Sequence, residues 1–185
     1  GLVGSRQLWG RAGNPYITLK DHVKDLVPVH DVSKYSGPIQ FLGYVQINWM
    51  YHVKYSLGEE YFANDEVLCR MNEATLQHIR FEKHHPEYWD PDKLRKNFLN
   101  FGDRDGIPDE PVDARTMPIP YIWEMVADWM AVAEERGTDV WDWYKKTVGV
   151  RWLFEDYQVE IIRLVIEIMI EDRLDYGHFR DGYIR

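Results

Sequence analysis

The sequence predicts an all-α, single-domain protein built as a helical bundle. Three observations carry this prediction. Apolar residues recur at three- and four-residue intervals over most of the chain, the spacing of one face of a helix. The breaks between these stretches fall at residues that start or stop helices, among them Pro28, Pro38, Asn64, Gly137 and Thr138. No run alternates apolar and polar residues over the length of a strand.

Taken in order, residues 1–14 are Gly-rich and polar and read as a mobile N-terminal arm, and the helical domain spans 15–175. A short helix covers Ile17 to Val27, with Leu19, Val23 and Leu26 on one face and Pro28 ending it. His30 to Tyr35 reads as a helical turn. Pro38 opens a helix to about Ser56, with Phe41, Leu42, Val45, Trp49 and Val53 as its apolar set. Asn64-Asp65 caps a helix over Glu66 to Lys83, which carries Val67, Met71, Ala74 and Ile79 at helical spacing. Pro91 to Phe101 reads as another short helix, and Gly102 to Pro118, rich in Asp, Gly and Pro, as the clearest loop. Pro120 starts a helix to about Arg136, closed by Gly137, and Thr138 caps a further one through Thr147. The last long helix is expected over Glu155 to Asp172, with Ile161, Leu164, Val165 and Ile168 inward, before a polar tail at 176–185 that includes His178.

At 185 residues and 45% hydrophobic content the chain has enough material to bury a core. A net charge of -9 argues against a general nucleic-acid-binding surface, but not against a small anionic substrate beside a bound metal. Cys69 is the only cysteine, which excludes an intramolecular disulfide and a thiolate zinc site and fits a reducing compartment. The longest apolar stretch, Ile161 to Ile170, is interrupted by Arg163 and Glu167, so neither a transmembrane span nor a signal peptide is read. The aromatic content of 15%, with eight Trp and twelve Tyr, hints at an aromatic interface and a homo-oligomer.

The histidines are distributed unevenly. Six of seven lie between His22 and His85, with an adjacent His30-Asp31 pair near the start and His84-His85 at the end. Imidazole nitrogen beside carboxylate oxygen is a ready set of ligands for a divalent metal. His22, His30, Asp31, His52, His78, His84, His85 and Asp128 are the candidates. Asp128 shares a helix with Glu124, four residues earlier, and with Ile122, Met125, Val126 and Trp129; a carboxylate among such neighbours needs a partner, and a metal or a cation would serve. Taken singly, each histidine is more simply a surface or core residue. The ordered set is the stronger signal.

That order resembles the HD superfamily of metal-dependent phosphohydrolases. His30-Asp31-Val32-Ser33-Lys34 is similar to the HD-x-x-K signature. A closer resemblance is to DUF5662, an uncharacterised HD-like family of bacteria and phages. Its pattern is matched by His30 to Tyr35, by His78 through His84-His85 to Tyr88-Trp89, and by Met117-Pro118 with Glu124 to Trp129. The resemblance covers about Thr18 to Lys146. It implies an HD-domain-like bundle in the cytoplasm of a bacterium or phage-infected cell. It further implies His30, Asp31, His84, His85 and Asp128 as metal ligands, His78 as ligand or supporting residue, and His22 as the leading histidine, a place for which His52 is the alternative.

Nitrogen and oxygen donors of this kind suit one or two ions of Fe, Mn, Zn, Co or Ni, or Mg with water completing its shell. Such a site activates water and polarises a phosphoryl oxygen. The expected activity is hydrolysis of a small phosphate ester such as a nucleotide, since the resemblance implies phosphomonoester or nucleotide hydrolysis as the commoner use of the superfamily. Asp31 and Lys34 are expected to act directly, Lys34 by offsetting phosphate charge or else simply as an exposed lysine, and Glu124 or Glu82 as a proton carrier. A degenerate binding or host-modulating module and a di-iron oxygenase are the alternatives. Separately, Asp103-Arg104-Asp105-Gly106 through Asp109, with Glu110 and Asp113, resembles an acidic calcium loop, for which a solvated turn is the plainer account.

Overall fold

The computed structural model describes residues 31–92 and 110–181, with side chains of the final helix through Glu171. The arm at 1–14, the helix at 17–27, His22, His30, most of the helix expected at 91–101, and Asp103 to Asp109 lie outside the described residues. Those described all belong to one compact unit, Asp31–Arg185.

Five helices dominate: α1 (Pro38–Tyr51), α2 (Asp65–Phe81), α3 (Ile119–Arg136), α4 (Val140–Thr147) and α5 (Asp156–Asp181). The all-α class therefore holds. Among the described residues the strand content is a two-residue parallel pair, β1 (Val112–Asp113) with β2 (Trp152–Leu153), in which Val112 stands beside Trp152, and an isolated bridge from Val148 to Trp152. These stretches are too short to leave an alternating signature in the sequence. None of the described helices is long and apolar enough to cross a membrane.

Local chemistry sets the element boundaries. Pro38 sits in the first turn of α1, where a missing N–H costs nothing. The helix continues as a π-helical turn, His52–Leu57, that ends at Gly58 in the left-handed region (φ 68°). Asn64 caps α2, its side chain accepting from the Val67 N–H at 2.9 Å. Gly137 closes α3 with φ 63°. The cap of α4 is Asp139, which accepts from the Trp141 N–H at 2.9 Å, and not Thr138. Thr138 instead donates its backbone N–H to the Ala133 carbonyl, finishing the end of α3. Buried Gln158 in α5 accepts from the Glu155 N–H at 2.7 Å and donates to the Met117 carbonyl at 2.7 Å, fixing the entry to α3 against α5.

Two apolar clusters result. The larger joins Ile122, Met125, Val126 and Trp129 of α3 to Ile162, Val165 and Ile166 of α5, with Val112, Val140 and Trp152. The smaller joins Tyr44 and Ile47 of α1 to Met71 and Ala74 of α2. Helix α2 reaches both, since Ile79 at its far end belongs to the larger cluster. Two expected faces are corrected. Leu164 is 49% exposed, because α5 presents Ile162 and Ile166 with Val165 and turns the face bearing Glu160, Arg163 and Glu167 outward. On α1, Phe41, Leu42, Val45 and Trp49 are exposed, while Gln40, Gly43, Tyr44 and Ile47 are buried.

The reason for the α1 orientation is Gly43. A Cβ at this position would collide with the Ala74 Cβ and lie 3.1 Å from the Arg70 carbonyl. The absence of a side chain lets the two helices meet at this point. Gly43→Ala is therefore expected to lose stability despite the better helix propensity of alanine. Forcing the helices apart costs about 1–3 kcal/mol, and a lowered urea midpoint at unchanged m-value checks it.

Candidate metal centre

Three elements converge at one end of α2. The chain enters through Asp31, whose backbone is left-handed (φ 62°); it is the only non-glycine among the described residues with positive φ. Asparagine and aspartate tolerate that region better than other side-chain-bearing residues. The conformation leads into a 3₁₀ turn, Val32–Tyr35, that carries Ser33 and Lys34. His78 lies in the last turn of α2. The chain then leaves the helix at Glu82 and presents His84 and His85 before a second 3₁₀ turn, Pro86–Trp89. Helix α3 brings Glu124 from the other side.

The donor atoms of His78, His84 and His85 all lie within 4.8 Å of one another. His78 and His84 are buried, and His85 is half-buried. His78 Nε2 stands 2.9 Å from His85 Nε2 and 3.1 Å from Asp31 Oδ1. His84 Nε2 is 3.8 Å from the same carboxylate oxygen. The far side of two rings is also engaged. Ser33 Oγ is 2.7 Å from His78 Nδ1, and Glu124 Oε1 is 3.5 Å from His84 Nδ1. Ser33 is itself placed by its backbone N–H, which donates to Glu82 at 3.1 Å. The Glu124 carboxylate beside His84 Nδ1 favours a proton there and leaves Nε2 as that ring's electron-pair donor, whereas on His78 the Asp31 carboxylate holds the proton at Nε2 and Nδ1 faces the Ser33 hydroxyl. Three imidazoles with a carboxylate at contact distance are a donor set that fits a divalent transition metal.

Electrostatics favour the same arrangement. Burial opposes ionisation of Asp31, but the hydrogen bond from His78 and the charge of Lys34 outweigh it and hold the carboxyl well below the usual carboxylate range. Burial pushes the His78 pKa down, aided by Lys34 and His84 and opposed by Asp31. The result is an ionised carboxylate beside a neutral imidazole, the protonation states that ligate. Lys34 Nζ is bonded to Asp31 Oδ2 and lies 5.3 Å above the Tyr44 ring, while Tyr44 meets His78 edge-on at 5.4 Å.

The loop carrying His84 and His85 is tied to the rest of the protein by buried acids. Glu87, 1% exposed, accepts from Trp152 Nε1 at 2.9 Å and faces the Arg151 guanidinium at 3.6 Å. Asp90 accepts from the Asp113 N–H at 3.0 Å, and Trp89 Nε1 donates to the Lys83 carbonyl at 2.8 Å. Among the sequence candidates, Asp31, His78, His84, His85, Lys34 and Glu124 are thus brought together. His52 is not: it is exposed and lies against Trp49, 5.4 Å between ring centroids. Asp128, one turn beyond Glu124, is half-buried and stands outside the group of three imidazoles. Asp113, a candidate for the calcium loop, spends its carboxylate on Arg115, with contacts of 2.9 and 2.7 Å. Ser33, Glu87 and Arg151 carried no expectation.

A family model matches residues 14–168, under the description family of unknown function (DUF5662). The chain belongs to DUF5662. No curated protein and no solved structure matches. The matched span of this DUF5662 chain contains every residue of the histidine cluster together with Asp31, Lys34 and Glu124.

Two outcomes follow from the geometry. Glu87→Ala leaves Arg151 buried without its carboxylate, and breaking a buried pair in this way is expected to cost about 3–5 kcal/mol in denaturant unfolding. In metal-free protein the depressed His78 pKa means that the unfolded chain binds the extra proton first. Stability should then fall as pH drops below the ordinary histidine value of about 6.5. Urea midpoints measured across that range check it, and substitution His78→Gln should flatten the slope.

Proposed function

We propose that this DUF5662 chain is a metal-dependent hydrolase of a small phosphate ester, such as a nucleotide, on an HD-like helical frame. The observation that carries the reading is the meeting of His78, His84 and His85 with the ionised Asp31 of the His-Asp pair, with Lys34 on that same carboxylate. Asp31 and the three imidazoles would hold the metal, and His30, adjacent in sequence, is a further nitrogen ligand under this reading. A divalent metal bound there supplies Lewis acidity and a water of lowered pKa.

The chain's own groups supply the rest. Ser33 and Glu124 fix the His78 and His84 rings, so that Nε2 of each is already turned toward the Asp31 carboxylate. This gives Glu124 an orienting task in addition to its expected one as proton carrier; with its side chain 12% exposed, it retains access to water. Lys34 balances the Asp31 charge in the resting protein and is the nearest cation on that turn for a substrate phosphate. Tyr44 backs both His78 and Lys34 and limits their movement.

Elemental analysis of purified protein is expected to find a divalent transition metal at a stoichiometry near one or two. Asp31→Ala and His84→Ala should lose it while keeping helical circular dichroism. Ser33→Ala, which removes only an orienting partner, should weaken metal affinity by roughly 10–100-fold. Phosphate release from a panel of nucleotides and phosphomonoesters should depend on the metal and disappear in His84→Ala. Full metal occupancy in Asp31→Ala sinks the centre. An occupied centre that releases no phosphate but consumes oxygen with iron bound moves the reading to an oxygenase.

A further inference from the structure

Helix α1 is apolar on both sides. Gly43, Tyr44 and Ile47 are buried against α2. Successive helical residues rotate by about 100°, which places Phe41, Leu42, Val45 and Trp49 in one stripe on the opposite side. These four are 51%, 48%, 49% and 55% exposed. A helix that is hydrophobic all round is ordinarily covered on both faces. Residues 38–53 also contain no Asp, Glu, Lys or Arg, in a chain that is 29% charged.

We infer that this outer face of α1 binds a second copy of the chain, in an antiparallel two-fold contact centred on Val45. Charge decides the occupant. Each copy carries a net charge of -9, so most pairs of surfaces repel. The uncharged stretch is where two copies meet without apposing like charges. A different partner would draw specificity and on-rate from complementary charge, and this face offers none. A two-fold contact needs only a self-complementary patch, and antiparallel stacking centred on Val45 sets Trp49 of each helix against Phe41 of the other. The four side chains offer on the order of 400 Å² per copy, and flanking Val32, Tyr35 and Ile39 raise this toward about 700 Å², close to the ~800 Å² per partner of a standard interface. Independently of any catalytic role, the surface is therefore large enough for a concentration-dependent dimer.

Sedimentation velocity on the full chain over a range of concentrations should show mass rising from 22.1 kDa toward twice that value. Added sodium chloride should leave the dimer intact or strengthen it. Leu42→Glu with Trp49→Glu should return the chain to 22.1 kDa with unchanged circular dichroism. Because both residues are half exposed, the helix itself does not depend on them. As a milder second measurement, Val45→Cys in a Cys69→Ser background should form a disulfide-linked dimer on oxidation. A wild-type chain that stays monomeric throughout overturns the inference. If Trp49 is then shielded from iodide quenching, the face is covered by the chain's own residues. A dimer that survives the double Glu variant, or a Val45→Cys chain that does not cross-link, places the contact elsewhere and overturns it equally.

Discussion

The Glu87 carboxylate is the interaction on which the rest of this protein depends. It sits 1% exposed at the start of a 3₁₀ turn, holding Trp152 Nε1 and facing Arg151. A charge so deeply buried is tolerated only with a counter-charge and a donor in place. That requirement joins the loop after α2 to the strand before α5. Around it the β1–β2 pair closes, Asp90 receives the Asp113 N–H, and Trp152 stacks on Trp129 at 5.5 Å. His84 and His85, three and two residues upstream of Glu87, inherit their position from it.

The second constraint is that polar groups packed this tightly must agree on their protons. His78 alone touches Ser33, Asp31 and His85 through its two nitrogens. A neutral imidazole has one donor and one acceptor, so every neighbour's role follows once a single tautomer is set. The Asp31 carboxylate sets it for His78 by accepting at Nε2, and the hydrogen bond from His78 with the charge of Lys34 keeps Asp31 ionised. With the His78 imidazole neutral and the Asp31 carboxylate charged, these two groups stand in the protonation states in which such groups could ligate a metal ion. On α3, Glu124 faces the His84 ring, and Asp128 lies one turn on.

Much of this was legible from residues alone. Helix ends at Pro38, Asn64 and Gly137 were readable because proline, asparagine and glycine act through their own backbones and need no tertiary context. The His-Asp and His-His pairs were readable because adjacency in sequence guarantees proximity in space. Burial direction was less so. On α5, apolar residues occupy nearly every side, and the inward face is marked only by where Glu160, Arg163 and Glu167 are not. On α1 the inward face is chosen by a residue with no side chain, Gly43, which a search for hydrophobic periodicity passes over. Glu87 was not legible at all. An acid between Pro86 and Tyr88 looks like a surface residue until Trp152 and Arg151, more than sixty positions later, are brought against it.

That separation also dictates an order of assembly. A ribosome delivers Asp31, His78, His84 and His85 well before it delivers Trp152, and bonds across such distances form slowly because the intervening chain must first be closed into a loop. Until then Glu87 has neither Trp152 nor Arg151 against it, and the segment of His84 and His85 rests on contacts within the first half of the chain, such as Trp89 Nε1 on the Lys83 carbonyl. The emerging N-terminal half thus carries its imidazoles on contacts among residues 31–85, and the tie through Glu87 is added when the C-terminal half arrives. Completion of synthesis is in this sense the step that adds the long-range tie beside His84 and His85.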